Sequence, residues 1–409
     1  MNQRLKRMLL AVVMLIVVAS GCTAVMEPLE PVTISFVHPE DPTGAYTQWA
    51  EQFHEEYPHI TVELISTSDI PGSQIVTNDA FVATQFELAG YQQDGAIIDL
   101  SPFMAETDEL DVDDFYPSAL EVFSSEGRQW ALPFGIDTMM VYYNQDLFDQ
   151  YGVSYPQIGW NWGDFLAYAI AMTDERAGLY GYALHYTEDF GVYEPIMIIY
   201  QAGGQIFDSL QEPTRVTFDE PRNIEAMEFY ANLIYNLHVV PTPEEAARLG
   251  RAYPWRGVLE ERFAMWSTLF SERGGRRWPV EWEMRWGAVP MPRDERAASL
   301  GLAEGLFVSS ASEEPAAAWT WIHFLSQQVP PFTIPARQSL AASQEFERLA
   351  GAQTAAAARA ALSDTILVNP ELLGFETAIF ALAEAFEQIR SGEVTPEIAL
   401  TGAQERAER

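Results

Sequence analysis

The side chains able to do chemistry in this sequence are carboxylates and aromatic rings, not nucleophiles or metal ligands. There are 59 acidic residues, 11 Trp and 17 Tyr. Carboxylates accept hydrogen bonds from hydroxyl, amide and guanidinium groups, and flat rings offer apolar faces with a polar edge, so this set suits binding by hydrogen bonds and stacking. Two carboxylates flanking a glycosidic bond would instead serve as acid and nucleophile of a carbohydrate-active enzyme, but that chemistry needs a fixed separation, which a sequence does not contain. Lys6 is the only lysine. A phosphate-cradling P-loop, a Schiff-base site and a Ser-x-x-Lys acyltransferase all require that amine in the folded part of the chain, so all three are excluded. Gly-x-Ser-x-Gly, Gly-x-Gly-x-x-Gly and His-Glu-x-x-His are absent too. The six histidines show no metal-ligand spacing, and His54 and His59 read as surface residues at a helix end. The sequence implies no catalytic residue, no cofactor and no metal.

One residue has a different chemistry. Arg4, Lys6 and Arg7 precede an unbroken apolar run from Met8 to Ala19, followed by Ser20, Gly21 and the sole cysteine, Cys22. Those 12 apolar residues fall inside the roughly 7–15 of a secretory signal core and short of the roughly 17–25 that cross a bilayer. Residues 1–21 therefore read as a cleaved leader. The Ser-Gly-Cys junction resembles a bacterial lipobox, with Ala19 where that motif favours Leu, so Cys22 is the expected lipidation site. It would anchor the chain on the extracytoplasmic face of the cell membrane. With one cysteine no internal disulfide can form, and an exported fold must rest on its core.

Removal of the leader takes three cations and leaves 20 basic against 59 acidic side chains, a net charge of −39. Such a surface repels nucleic acid and anionic headgroups. Roughly 390 residues remain, enough for two or more domains. After a linker over 22–31, Val32, Ile34 and Phe36 alternate with Thr33 and Ser35 as in a half-buried strand. Tyr46, Trp49, Ala50, Phe53 and Tyr57 recur at helical spacing until Pro58, and Ile60, Val62 and Leu64 alternate again. This is a βαβ unit, which implies a parallel sheet covered by helices. Further helices are predicted at about 163–174, 194–202, 222–237, 313–326 and 375–391. Thr242 and Glu245 form a capping box, and Asp219 with Pro221 marks a helix start. Ala352–Ala361 reads as an exposed Ala-rich helix.

The order of these elements resembles the extracellular solute-binding proteins of family 1, the maltose-binding-protein-like group. "WAEQFHEEYPHITVEL" (49–64), "AIIDLSPFM" (96–104), "QWALPFGIDTMMVYYNQDLFDQYGV" (129–153) and "GWNWGDFLAYAIAMT" (159–173) come first. "YGYAL" (180–184), "AGGQIFD" (202–208), "DEPRNIEAMEFYANLI" (219–234), "FAMW" (263–266), "WGAVPMP" (286–292), "SEEPAAAWTWIHFLS" (312–326) and "IPAR" (334–337) follow in the family's sequence. One stretch departs: residues 66–88 are short where the family has a helix and a Pro-Asp-Val-type strand, with Asn78-Asp79-Ala80 the candidate remnant.

The resemblance implies an α/β fold of two lobes that exchange chain at a discontinuous hinge, in the manner of periplasmic binding proteins. It implies lobe 1 at 32–136 and 306–328, and lobe 2 at 140–302 and 332–409. Ligand would sit in the interlobe cleft, outside the carboxyl ends of the strands, and hinge closure would follow from contacts to both lobes. On the family pattern Trp266 is the expected stacking ring, with Asp137 and Glu304 as hydroxyl-binding carboxylates near the crossovers. Tyr193, Glu194, Arg337 and Glu40 are further expected contacts, while Trp160 and Trp162 are read as packing. The partners implied are a mono- or oligosaccharide and the permease subunits of an ABC importer, with the protein acting as a monomer. A surface carbohydrate-active enzyme and a binding protein feeding a sensor are the alternatives.

Overall fold

The alternation at the start of the chain does form strand β1 (Val32–His38), and the apolar stripe after it forms helix α1 (Ala45–Glu56) with Tyr46, Trp49 and Phe53 buried. Tyr57 ends the helix at φ −121°, ψ 70°, because the ring of Pro58 disfavours helical geometry at the residue before it. Strand β2 (Ile60–Ser66) then pairs with β1 in parallel, from Val32 opposite Ile60 to His38 opposite Ser66. The computed structural model describes residues 30–184, 192–209, 213–248, 255–276, 280–367 and 376–408. The expected leader, Cys22 and residues 22–29 of the linker lie outside them.

The shortened stretch holds β3 (Ala80–Thr84), parallel to β1 with Phe36 opposite Ala80, and leads into α2 (Gln85–Gln93). Asp79 fastens its start: the carboxylate accepts the Ser35 N–H and hydroxyl, each at 2.8 Å, and the Ser312 hydroxyl at 2.6 Å. Next comes β4 (Leu132–Asn144), 13 residues long and buried throughout. The elements that follow are α3 (Trp162–Met172), β5 (Tyr180–Ala183), α4 (Tyr193–Gln201), α5 (Pro221–Tyr235), α6 (Pro243–Arg248), β6 (Phe263–Leu269) and β7 (Trp286–Pro290). The chain closes with β8 (Ser299–Val308), α7 (Pro315–Leu325), β9 (Ile334–Pro335), α8 (Gln338–Ala341), α9 (Ala352–Leu362), β10 (Thr365–Leu367), α10 (Glu376–Ser391) and α11 (Pro396–Ala407).

The strands run β2-β1-β3-β8-β4-β6-β5, with β7 and β9 also on β4 and β10 on β8. Strand β4 changes partner along its length. Leu132 to Thr138 pair with β8, and Met139 to Tyr143 pair with β6, while Met140 to Asn144 pair with β7. Two lobes thus share β4 and β8. Residues 332–337, expected in lobe 2, stay with lobe 1, because β9 pairs with Gly135 and Ile136 and the Tyr116 N–H donates to the Ala336 carbonyl at 3.0 Å.

Three further expectations meet the structure. Helix α9 forms as predicted but is not exposed: Ala355, Ala357, Ala358 and Ala361 are buried, and the small side chains let it lie close on β7. Helix α5 starts at Pro221, but its N-cap is Glu220 without a side-chain bond, not Asp219. The capping box of α6 is present: Glu245 accepts the N–H and hydroxyl of Thr242, each at 2.8 Å.

His238 joins that box, its Nε2 2.9 Å from Glu245 and its Nδ1 3.3 Å from Glu175. Burial pushes the Glu245 carboxyl up, but the bonds from His238, Thr242 and Tyr180 outweigh it and bring it from 4.5 to about 2. The same bond, with Glu175 adding and burial opposing, raises His238 above its ordinary 6.5. A depressed carboxyl contributes stability above its unfolded value, and a raised imidazole contributes it below its own. The contribution of this pair should therefore be complete between about pH 4.5 and 6.5. It should fall towards pH 2 and again as pH rises through the elevated His238 value. Denaturant unfolding of the native chain and of His238→Gln across pH 4–9 checks this, with the stability difference largest near pH 5–6 and smaller at pH 8–9.

Candidate functional site

The parallel strands of lobe 1 end at one edge, where β4 leaves for lobe 2 and β8 returns from it. Glu40 is exposed just beyond β1. Asp41 beside it accepts the Thr43 N–H at 2.9 Å on one oxygen and the Tyr46 N–H at 3.2 Å on the other, which fixes the turn into α1. Tyr46 is 3% exposed and lies against His38, ring centroids 4.5 Å apart. Burial first, and then the negative charges of Glu304 and Asp41, raise its phenol well above the ordinary tyrosine value. At the end of β3, Thr84 and Glu87 form a capping box, with Glu87 accepting the Thr84 N–H at 2.9 Å. Glu304 sits on β8 opposite Thr84 on one side and Gly135 on the other, at a register shift between Glu304 and Gly305. Its Oε2 accepts the Thr333 hydroxyl at 2.9 Å. Gly135 makes the room: a Cβ there would lie 1.9 Å from the Thr333 hydroxyl oxygen and 3.2 Å from Glu304 Oε2.

On the lobe 2 side of the crossing strands, Met139 of β4, Leu269 at the carboxyl end of β6, Leu300, Gly301 and Leu302 of β8, and Tyr193 at the start of α4 line a small apolar recess. Asp137 lies beside it, opposite Leu302 and 1% exposed, and its Oδ1 accepts the Ser271 N–H at 2.9 Å. Among the described residues there is no group of His, Cys, Asp and Glu suited to hold a metal.

The model of the bacterial extracellular solute-binding protein family matches residues 39–250, more than half of the chain. The chain belongs to that family. Its sequence is 29% identical over 131 residues to an erythritol/L-threitol-binding protein of Mycolicibacterium smegmatis, covering 29% of this chain and 27% of that one. It is 24% identical over 227 residues to a mannitol-binding protein of Pseudomonas aeruginosa, covering 53% and 51%. These matches span between about a quarter and half of the relatives' own length. In structure it resembles an ABC substrate-binding protein of Listeria monocytogenes in complex with cycloalternan, at a TM-score of 0.74 and 22% identity over 93% of this chain and 98% of that one. The sugar-binding protein MalE of Xanthomonas citri superposes at 0.74 with 18% identity, covering 92% and 96%. The two-lobed fold expected of the family is the fold observed. No helix among the described residues is long and apolar enough to cross a membrane.

Within this solute-binding protein the expected contacts separate into two groups. Glu304 lies on a crossing strand, Tyr193 lines the recess beside it, and Glu40 is exposed beyond β1. Trp266 is 0% exposed in the middle of β6, with Tyr142 stacked at 6.3 Å and Trp282 edge-on at 4.9 Å. The cleft-facing end of that strand is Leu269, so the stacking role expected of Trp266 is corrected to core packing. Arg337 is corrected likewise. Its guanidinium lies 3.5 Å from Asp114 and 3.2 Å from the Ser326 hydroxyl, over the Phe115 ring, inside lobe 1. Glu194 is 2% exposed and accepts the hydroxyls of Tyr182 and Ser267, so it secures α4 against β5 and β6. Asp137 is at the crossover as expected, but its carboxylate holds the loop after β6. Trp160 and Trp162 pack as read, their Nε1 atoms donating to Pro290 O and Gln201 Oε1, each at 2.8 Å.

Tyr46, on the apolar stripe of α1, is core as its spacing implies. Sequence reasoning did not place Asp41, or Thr84 and Glu87, beside the crossing strands. The strand pattern at Ala80–Thr84, followed by Thr-x-x-Glu, was the available signal for the other two. Since Trp266 is core, Trp266→Ala should cost about 3–5 kcal/mol of stability and Trp266→Phe clearly less. Chemical denaturation checks this, and an unchanged unfolding midpoint for the alanine variant would place the ring outside the core.

Proposed function

We propose that this protein captures a neutral polyhydroxylated solute, a mono- or oligosaccharide or a sugar alcohol, between its lobes and delivers it to the permease of an ABC importer. The observation that carries this reading is the pairing of two walls at the crossing strands. Glu304 with Thr333 and Asp41 offer hydrogen-bonding groups on one side, and the Tyr193 recess offers an apolar surface on the other. A polyol has the complementary pair of surfaces, hydroxyls on its edges and C–H groups on its face. Relatives that bind erythritol or L-threitol and mannitol support this class of solute.

The lobes are taken as 32–136 and 306–341 for the first, and 140–302 and 342–408 for the second. Contacts to both would favour the closed arrangement by their differential free energy. The protein binds without transforming its solute: Asp137 holds the Ser271 N–H, so it is not placed as one of two carboxyls flanking a glycosidic bond. Acylated Cys22 anchors the chain outside the cytoplasm.

Saturation with a solute that binds only the folded chain should stabilise it by about 2.7 kcal/mol at a hundredfold excess over the dissociation constant. A thermal-shift series over sugars, sugar alcohols, amino acids and phosphate esters should respond to members of the first two classes. Glu304→Gln and Tyr193→Ala should each weaken binding of the responding solute by about tenfold or more. Silence from every carbohydrate and sugar alcohol would remove the assignment. For the anchor, Cys22→Ala should move the protein from the membrane to the soluble fraction, and retention on membranes would overturn acylation at that residue.

A further inference from the structure

The loop that follows β6 carries a buried cation with no part in the contacts above. Arg273 is 3% exposed, although taking a guanidinium out of water is costly unless its donors find acceptors. Burial, aided by neighbouring Arg276, pulls it down from 12.5 to about 9. Its Nη1 donates to the Phe270 carbonyl at 3.0 Å and to the Phe332 carbonyl, its Nη2 donates to the Pro331 carbonyl at 3.4 Å, and the group lies 3.9 Å above the Phe270 ring.

These partners belong to different bodies. Phe270 continues β6 of lobe 2. Pro331 and Phe332 lead into Thr333, which is bound to Glu304, and into β9, which pairs with the lobe 1 half of β4. Two residues before Arg273, the Ser271 N–H reaches Asp137, where β4 passes between the lobes. The segment 269–273 therefore touches the recess through Leu269, one crossing strand through Ser271, and the far side of the hinge through Arg273.

We propose that Arg273 is a positioning residue for lobe closure: it ties the wall of the cleft to the segment at 331–332, so that a solute pressing on that wall moves the hinge. A planar fork bonded to carbonyls on both sides keeps one geometry, which a single flexible contact would not. The coupling rests on the capture function proposed above, but its test uses no solute, so a failure of every carbohydrate to bind would leave the result intact.

The comparison is between Arg273→Met and Arg337→Met in the whole chain without added ligand, because Arg337 is a similarly buried guanidinium whose partners all lie in lobe 1. Small-angle scattering should show a larger radius of gyration for Arg273→Met alone. Hydrogen exchange at the Ser271 amide should be about tenfold faster or more in that variant and unchanged in Arg337→Met. If the two variants give the same scattering and the same Ser271 exchange, Arg273 only fills the core and the proposal is overturned. Should Arg273→Met not fold, Arg273→Lys against Arg337→Lys carries the same comparison. The lysine keeps a charge over Phe270 without the fixed fork, and the same two readouts decide.

Discussion

The backbone ladder between β4 and β8 is the constraint on which the rest of the molecule depends. Both strands serve two lobes, and they pair with each other where the lobes meet, from Leu132 opposite Leu306 to Thr138 opposite Gly301. A buried peptide group without a partner costs as much as a lost hydrogen bond, so each strand must find neighbours along its whole length. Strand β4 does so by changing partner at Thr138 and Met139, and that change makes one chain into two bodies with a shared spine. The carboxyl ends of β1 and β3 then face those of β5 and β6 across it, where a cleft has to be.

Polar groups at this junction are arranged around the same spine. Glu304 occupies a register shift on β8, and the missing side chain of Gly135 lets Thr333 approach it. Asp137 and Arg273 are buried there with their hydrogen-bonding capacity turned to backbone groups: the Ser271 amide for one, and the carbonyls of Phe270, Pro331 and Phe332 for the other. Charges buried in this way favour one geometry of the connecting segments more than they favour stability. The recess lined by Met139, Leu269, Leu300 and Tyr193 on the lobe 2 side is apolar by contrast.

What the sequence determined by itself was local and periodic. The βαβ start, the helices near 163–174, 222–237 and 313–326, the Thr242–Glu245 box and the order of elements that marks the family were legible, because side-chain spacing and capping act within a few residues. Which side chains reach the cleft was decided by tertiary structure. Alternation identifies the inward face of a strand only when the other face meets water, and in β4 and β6 every residue is buried. Burial along β6 therefore does not separate Trp266 from Leu269, and only the pairing of β6 with β4 and the packing of Tyr142 and Trp282 put the indole in the core. Thr84 and Glu304 lie far apart in sequence, as do Arg337 and Asp114. Their meeting depends on sheet order and strand register, which arise from contacts across the fold and leave no spacing to read.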